Sequence, residues 1–290
     1  MQFELTTEYV DQLKDAISSK NIDFLKGQLH EMHAADIALI INQLDIDEAH
    51  YLYDLLDETV APDVLLELEE DRREELLSTY STKEIAEEIG NMDSDDAADV
   101  INELPEEIQD EVLSQIEDID QASDIADLLN YEEGTAGSLM AKELVSVYIF
   151  DTVSICIDAI REQTDSVDVM YAVYVVDDNR KLLGMLPLKK LIISHPLTRI
   201  EEIYEKDVQA VKVTATSEEV SEMMSKYDLV VLPVVDQLGR LVGRITIDDV
   251  VDVMREEAEK DIQIMSGISD DVDSNDRVWR LSRARIPCCL

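Results

Sequence analysis

Basic residues are scarce in this chain: 24 Lys and Arg stand against 67 Asp and Glu in 290 residues, for a formal net charge of −43. Phosphate recognition needs a clustered basic face, and no window supplies one before the last dozen residues, which excludes a nucleic-acid binder. The partners implied are cations or basic surfaces. Long apolar runs are also missing. Although 46% of the residues are apolar, the runs are short, as at 229–235, and none reaches the roughly 18 residues that a bilayer span requires. The expectation is a soluble chain, or the soluble piece of something larger, with cores enough for roughly two or three domains.

Cysteine is rare as well. Cys156 lies in an apolar segment and Cys288 and Cys289 are adjacent, a spacing that builds neither a disulfide framework nor a zinc site and fits a reducing cytoplasm. The start sets Phe3 and Leu5 among Glu4 and Glu8, without a basic n-region or an apolar h-region, so no signal peptide is expected. Catalytic motifs are absent too: there is no nucleophile elbow, Walker loop or Cys–His arrangement, and no enzyme substrate is implied. Asp271, Asp273 and Asn275 copy the opening ligands of an EF-hand, but Asp276 replaces its glycine and Ser282 its final glutamate, which removes that reading. His30 and His33 share a helix spacing without a third ligand, and packing or surface roles account for them better.

What the sequence has in quantity is acid, unevenly placed. Residues 1–133 carry 39 acids and 6 bases, residues 134–200 carry 8 and 7, and residues 201–290 carry 20 and 11. The step near residue 133 marks a domain boundary. The first region repeats: Leu44, Leu56, Leu68, Tyr80, Met92, Leu104, Ile116 and Leu128 recur every 12 residues, each preceded three positions earlier by Ile41, Tyr53, Leu65, Leu77, Ile89, Ile101, Leu113 or Ile125. Polar triplets such as Asp45-Ile46-Asp47, Ser81-Thr82-Lys83 and Pro105-Glu106-Glu107 lie between. Each unit reads as a helix of about two turns, too short to stand alone, so units must stack two per 24 residues into an all-α superhelical solenoid. In its densest acidic turn, 93–99, Asp95 and Asp99 share a helix face at a spacing where like charges repel unless a cation lies across from them; ordinary N-capping by Asp93 or Asp95 is the competing reading.

Beyond residue 131 the pattern becomes β-α-β-β-α, twice. Strand 144–150, helix 153–163, strands 171–177 and 181–186 and helix 188–193 are followed by strand 209–213, helix 217–227, strands 229–236 and 240–246 and a helix from Asp248. An offset of 59 residues superposes Val175-Val176-Asp177 on Val234-Val235-Asp236 and Gly184 on Gly243. The fold class expected is therefore α + α/β. A long acidic helix then carries Asp249, Asp252, Glu256, Glu257 and Asp261, with Val250, Val253 and Met254 as its packing side; a merely solvated face is the alternative.

The second copy, Leu232-Pro233-Val234-Val235-Asp236 through Gly243-Arg244-Ile245-Thr246-Ile247-Asp248-Asp249, resembles a CBS domain. That resemblance implies a hydroxyl and a carboxylate, here Thr246 and Asp249, at a strand end and helix start, where they can hold a ribose while helix amides face phosphate; a helix cap uses the same two residues. The first copy has Pro187 and Lys190 there, which supply neither group, so at most one nucleotide site is intact.

Taken together, the acidic helical region, Gly134-Thr135-Ala136-Gly137-Ser138-Leu139-Met140, the CBS pair, the acidic helix and Arg280-Leu281-Ser282-Arg283-Ala284-Arg285 resemble the cytosolic portion of the MgtE family of magnesium transporters. The resemblance implies an organisation of 1–133 helical superhelix, 134–200 first CBS unit, 201–250 second CBS unit, 251–276 connecting or plug helix and 277–290 start of a truncated membrane region. It further implies a homodimer on the cytoplasmic face of the plasma membrane, joined to its own transmembrane domain, whose interfacial acids bind Mg2+ and hold a closed state. Carried over by motif, the ligands are Asp95, Asp99, Glu218, Asp228, Asp249, Asp252, Glu257 and Asp261; Lys260 departs from the acid common beside the last. ATP or another adenine nucleotide is the second ligand implied, at Thr246 and Asp249. The alternative function is a nucleotide-sensing CBS adaptor whose solenoid docks a protein.

Overall fold

A computed structural model describes residues 5–30, 32–163, 170–251 and 253–255. These fall into two compact units divided between Tyr131 and Glu132.

The first unit is built from ten helices: α1 (Thr7–Ser18), α2 (Ile22–Leu29), α3 (Ala34–Ile41), α4 (Ile46–Tyr53), α5 (Ala61–Leu66), α6 (Glu70–Leu77), α7 (Thr82–Ile89), α8 (Ser94–Glu103), α9 (Glu106–Gln115) and α10 (Ile119–Leu128). From α3 onward the starts follow the 12-residue period, with side-chain caps from His33 on α3, Asp45 on α4, Ser81 on α7 and Asp118 on α10. Asp45 and Glu48 close a capping box on α4, and Ser81 and Glu84 close one on α7. α10 begins one residue late and α5 three. Pro62 has no N–H to donate to the preceding turn, so it is tolerated only in a first turn, and it holds the helix start at Ala61.

Helices of two turns depend on packing for their stability. Here α3 packs on α5, α5 on α7 and α7 on α9, while α4 packs on α6 and α8 on α10; in each of these pairs the partner is the next helix but one. The 12-residue positions form the seam: Ile41, Leu65, Ile89, Ile101 and Ile125 are fully buried and Tyr53 and Leu77 nearly so, with Leu113 half-buried. Two arginines at the start of α6 satisfy helix C-termini. Arg72 donates to the carbonyls of Ile41, Leu44 and Asp45, and Arg73 to those of Leu65 and Leu66 while its Nε and Nη2 take both carboxylate oxygens of Glu103.

The second unit holds two three-stranded sheets. The first contains β1 (Val145–Tyr148), β2 (Val173–Val176) and β3 (Leu182–Leu186), with α11 (Val153–Gln163) and α12 (Leu188–Ile193); the second contains β4 (Val211–Lys212), β5 (Val231–Val235) and β6 (Leu241–Thr246), with α13 (Ser217–Tyr227). In each, the first strand runs parallel to the middle one and the third antiparallel to it. The irregularities at Val175/Val176 and Val234/Val235 repeat the 59-residue offset.

The copies exchange their leading segments. Residues 135–141 join the second copy through Ala136 N–H to Ala215 O (2.8 Å), Gly137 N–H to Val213 O (2.9 Å) and reciprocal bonds between Ala141 and Arg244. Residues 199–205 join the first through Ile200 N–H to Asp151 O (2.9 Å) and reciprocal bonds between Glu205 and Met185. The crossings explain the matched glycines: a Cβ on Gly184 would lie 2.0 Å from Glu205 O, and one on Gly243 2.6 Å from Met140 Sδ. The hairpin tips also pair, Leu182 N–H with Gly239 O and Leu241 N–H with Arg180 O, around a core in which Tyr174, Val176 and Leu182 of one copy meet Leu241 of the other.

Candidate functional site

Three of the eight carboxylates proposed from the sequence as cation ligands lie in the helices just described, Asp228 caps the end of α13, and Asp249 is the third of the helical residues 247–251 that follow β6. Asp95 and Asp99 are both in α8, which starts at Ser94 with Asp93 as its N-cap residue but without a side-chain capping bond. Asp95 is 9% exposed and its Oδ1 accepts from the Asp96 amide at 3.0 Å, whereas Asp99 is exposed. Glu218 and Asp228 are brought together less closely. Glu218 lies in the first turn of α13 and Asp228 caps its far end in the left-handed conformation, φ 52° and ψ 46°, so about 15 Å of helix rise separates them. Asp252, Glu257 and Asp261, with nearly all of the expected connecting helix and the 277–290 segment, lie outside the described residues.

Thr246 and Asp249 do meet. The Thr246 hydroxyl donates to Asp249 Oδ2 at 2.6 Å and its amide donates to the same oxygen at 2.9 Å. The strand end brings the hydroxyl, and the first helical turn returns the carboxylate, because i and i+3 coincide there. Thr246 is 3% exposed. Burial raises the Asp249 carboxyl above the ordinary aspartate range, against the two Thr246 bonds, which lower it. A carboxylate held partly out of water and offering hard oxygen suits a cation such as Mg2+. In the first copy Pro187 caps α12 without a side-chain bond, and Lys190 pairs with Glu205 at 3.2 Å.

One buried charged side chain escaped the sequence reading. Arg244, in β6, is 7% exposed; its Nε donates to Glu143 O at 2.6 Å and its guanidinium sits 5.5 Å from the centroid of the Tyr171 ring. A lone arginine in the otherwise apolar Leu241-Val242-Gly243-Arg244-Ile245 was the available signal.

Family comparison accounts for this architecture. Residues 32–134 match the model of the MgtE intracellular N domain, and residues 136–194 and 200–256 each match the CBS domain. The magnesium transporter MgtE of Thermus thermophilus is 33% identical over 88% of this chain, and that of Bacillus subtilis 26% identical over 98%; the chain spans 57% and 62% of those relatives' own length. Among solved structures, the soluble part of a magnesium transporter matches with a TM-score of 0.75 at 28% identity, over 87% of this chain and 98% of that one. The cytosolic domain of the Mg2+ channel MgtE in complex with ATP matches with a TM-score of 0.78 at 32% identity, over 84% and 99%. These relatives are transporters, not enzymes. The helical unit and the CBS pair in this order place the chain in the MgtE family of magnesium transporters, matching that family's cytosolic region.

Proposed function

We propose that this chain is the Mg2+-sensing regulatory region of a magnesium transporter. In this reading the first unit is a superhelical solenoid of 12-residue units, the helix after β6 continues as a long acidic plug helix, and two copies assemble on the cytoplasmic face of the membrane beneath their own transmembrane domain. Asp95, Asp99, Glu218, Asp228, Asp249, Asp252, Glu257 and Asp261 hold Mg2+ at interfaces and favour a compact, closed state. Loss of Mg2+ lets the acids repel and releases the plug.

The observation that carries this reading is the partial burial of Asp249, with its carboxyl raised, at the start of that helix in a chain of net charge −43. Ionising a buried acid among excess negative charge is unfavourable, and a divalent cation removes the cost. Weak sites suffice: a millimolar set point needs only about 4 kcal/mol per site, and several sites biasing one two-state interface make the response steep. Small-angle scattering in EDTA, in about 10 mM Mg2+ and in monovalent salt of equal ionic strength tests it. A radius of gyration that falls in Mg2+ alone supports site binding; the same fall in both salts refutes it.

A second reading, adenine-nucleotide sensing at Thr246 and Asp249, has in its favour the intact pair in the second copy and a relative crystallised with ATP. Saturable ATP binding that is lost in Thr246→Val tests it.

A further inference from the structure

The two CBS copies are not equivalent as ligand sites, and the asymmetry centres on Arg244. The register that sets Val173 against both Val145 and Leu186 puts Leu144, Ala172 and Pro187 side by side at one end of the first sheet. Leu144 and Ala172 line a cleft there together with Val145, Tyr171, Tyr174 and Arg244. In the first copy this is the place where the strand end and helix start would offer a hydroxyl and an acid. Pro187 and Lys190 stand at those positions, and Lys190 is engaged by Glu205, on the segment exchanged into this copy.

Arg244 belongs to the other copy but reaches this cleft. It crosses beside Ala141, spends its Nε on Glu143 O and lays its guanidinium over Tyr171, the flat aromatic surface that an adenine would otherwise find. By the 59-residue offset the equivalent residue of the first copy is Met185, which has no charge to place. The space left is too small to admit a water molecule, far below the roughly 300 Å3 at which small-molecule sites begin. The Tyr174 hydroxyl, buried and without a hydrogen-bond partner among the described residues, is a polar group this cleft retains, and one hydroxyl cannot replace a ribose clamp.

We propose that Arg244 occupies the cleft beside the first CBS copy in place of a nucleotide, so that the chain's own side chain holds this half of the pair shut and it takes no adenine nucleotide. A cation–π contact and a charge-assisted bond, both intramolecular, supply cohesion between the copies without the association cost that a free ligand bears.

The test is equilibrium dialysis of the full chain against ATP in EDTA, which avoids competition for Mg2+, with circular dichroism to check folding. Thr246→Val is made in every background to silence the second copy. The wild-type backbone with Thr246→Val is expected to retain no ATP at about 1 mM, a weak-binding concentration. Adding Arg244→Met, Pro187→Thr and Lys190→Asp is expected to raise affinity about tenfold or more, the effect of restored hydrogen bonds to a charged group. ATP retained by Thr246→Val alone overturns the proposal, as does a folded quadruple variant that gains nothing. If the quadruple variant does not fold, Arg244→Met with Thr246→Val is dialysed against adenosine, which needs only the base cavity; a gain supports the proposal and its absence overturns it.

Discussion

Thr246 and Asp249 complete one another: a hydroxyl and an amide of the first both end on a single carboxylate oxygen of the second. The second oxygen is what a cation or a ribose would use. The pair caps the helix without any ligand, and a ligand role would be added to that structural one.

Asp249→Asn keeps an oxygen for both Thr246 bonds and removes the charge. Because burial raises the folded-state value of this acid, its ionisation costs stability: the cost is absent below the unfolded carboxylate range, grows as pH rises through the folded value and stays constant above it. The variant is expected to melt about 2 °C or more higher than wild type at neutral pH in EDTA, to lose less stability than wild type as pH rises above the unfolded aspartate value of about 4, and to gain less from Mg2+. Differential scanning calorimetry across pH, with and without Mg2+, measures all three.

Arg73→Ala removes both guanidinium bonds to Glu103 and the donors to Leu65 and Leu66. The arginine and Glu103 side chains are 13% and 18% exposed, so the stranded acid and carbonyls should cost about 2–4 kcal/mol in urea unfolding of the first unit. Arg73→Lys should recover less than half of the loss, since an ammonium cannot fork across a carboxylate.

Gly184→Ala and Gly243→Ala probe the crossings. The first meets a backbone oxygen at 2.0 Å, the second a flexible Met140 sulfur at 2.6 Å and Ala141 O at 2.9 Å. Both should destabilise, Gly184→Ala by about 3 kcal/mol or more and Gly243→Ala by less, in line with overpacking. Equal losses in denaturant titrations would contradict this ranking.

Arg180 occupies the left-handed region at φ 61°, where its counterpart Gly239 has φ 80°. Only the backbone of Arg180 joins the tip pairing. Arg180→Gly should stabilise the second unit by about 0.5–1 kcal/mol, the left-handed strain relieved less the added chain entropy, read as an upward shift in melting temperature.

Local signals carried most of the fold. Helices 188–193 and 217–227 were readable to the residue and the start of 153–163 likewise, from apolar spacing and, at 217–227, the Thr216–Glu219 capping box. The strands were read too long, 209–213 against Val211–Lys212 for instance, since apolar character continues past the last ladder bond. The exchange of leading segments left no local mark: Ala136 and Ala215 announce nothing about each other. The site was legible where it is a motif, at Thr246 and Asp249, and illegible at Arg244, whose partners Glu143 and Tyr171 are 101 and 73 positions away.

Because residues 135–141 are woven into the second copy, the chain leaving the helical unit skips its nearest neighbour in sequence and is anchored beside Gly243 and Arg244. A pull on the backbone at residue 133 is therefore taken up first where Gly134, Ala136 and Gly137 bond to Ser217, Ala215 and Val213, and next at Arg244, two residues from Thr246, before it can load the first copy. The short path from residue 133 to the strand that ends at Thr246 thus runs through backbone hydrogen bonds, although more than a hundred residues of covalent chain separate the two.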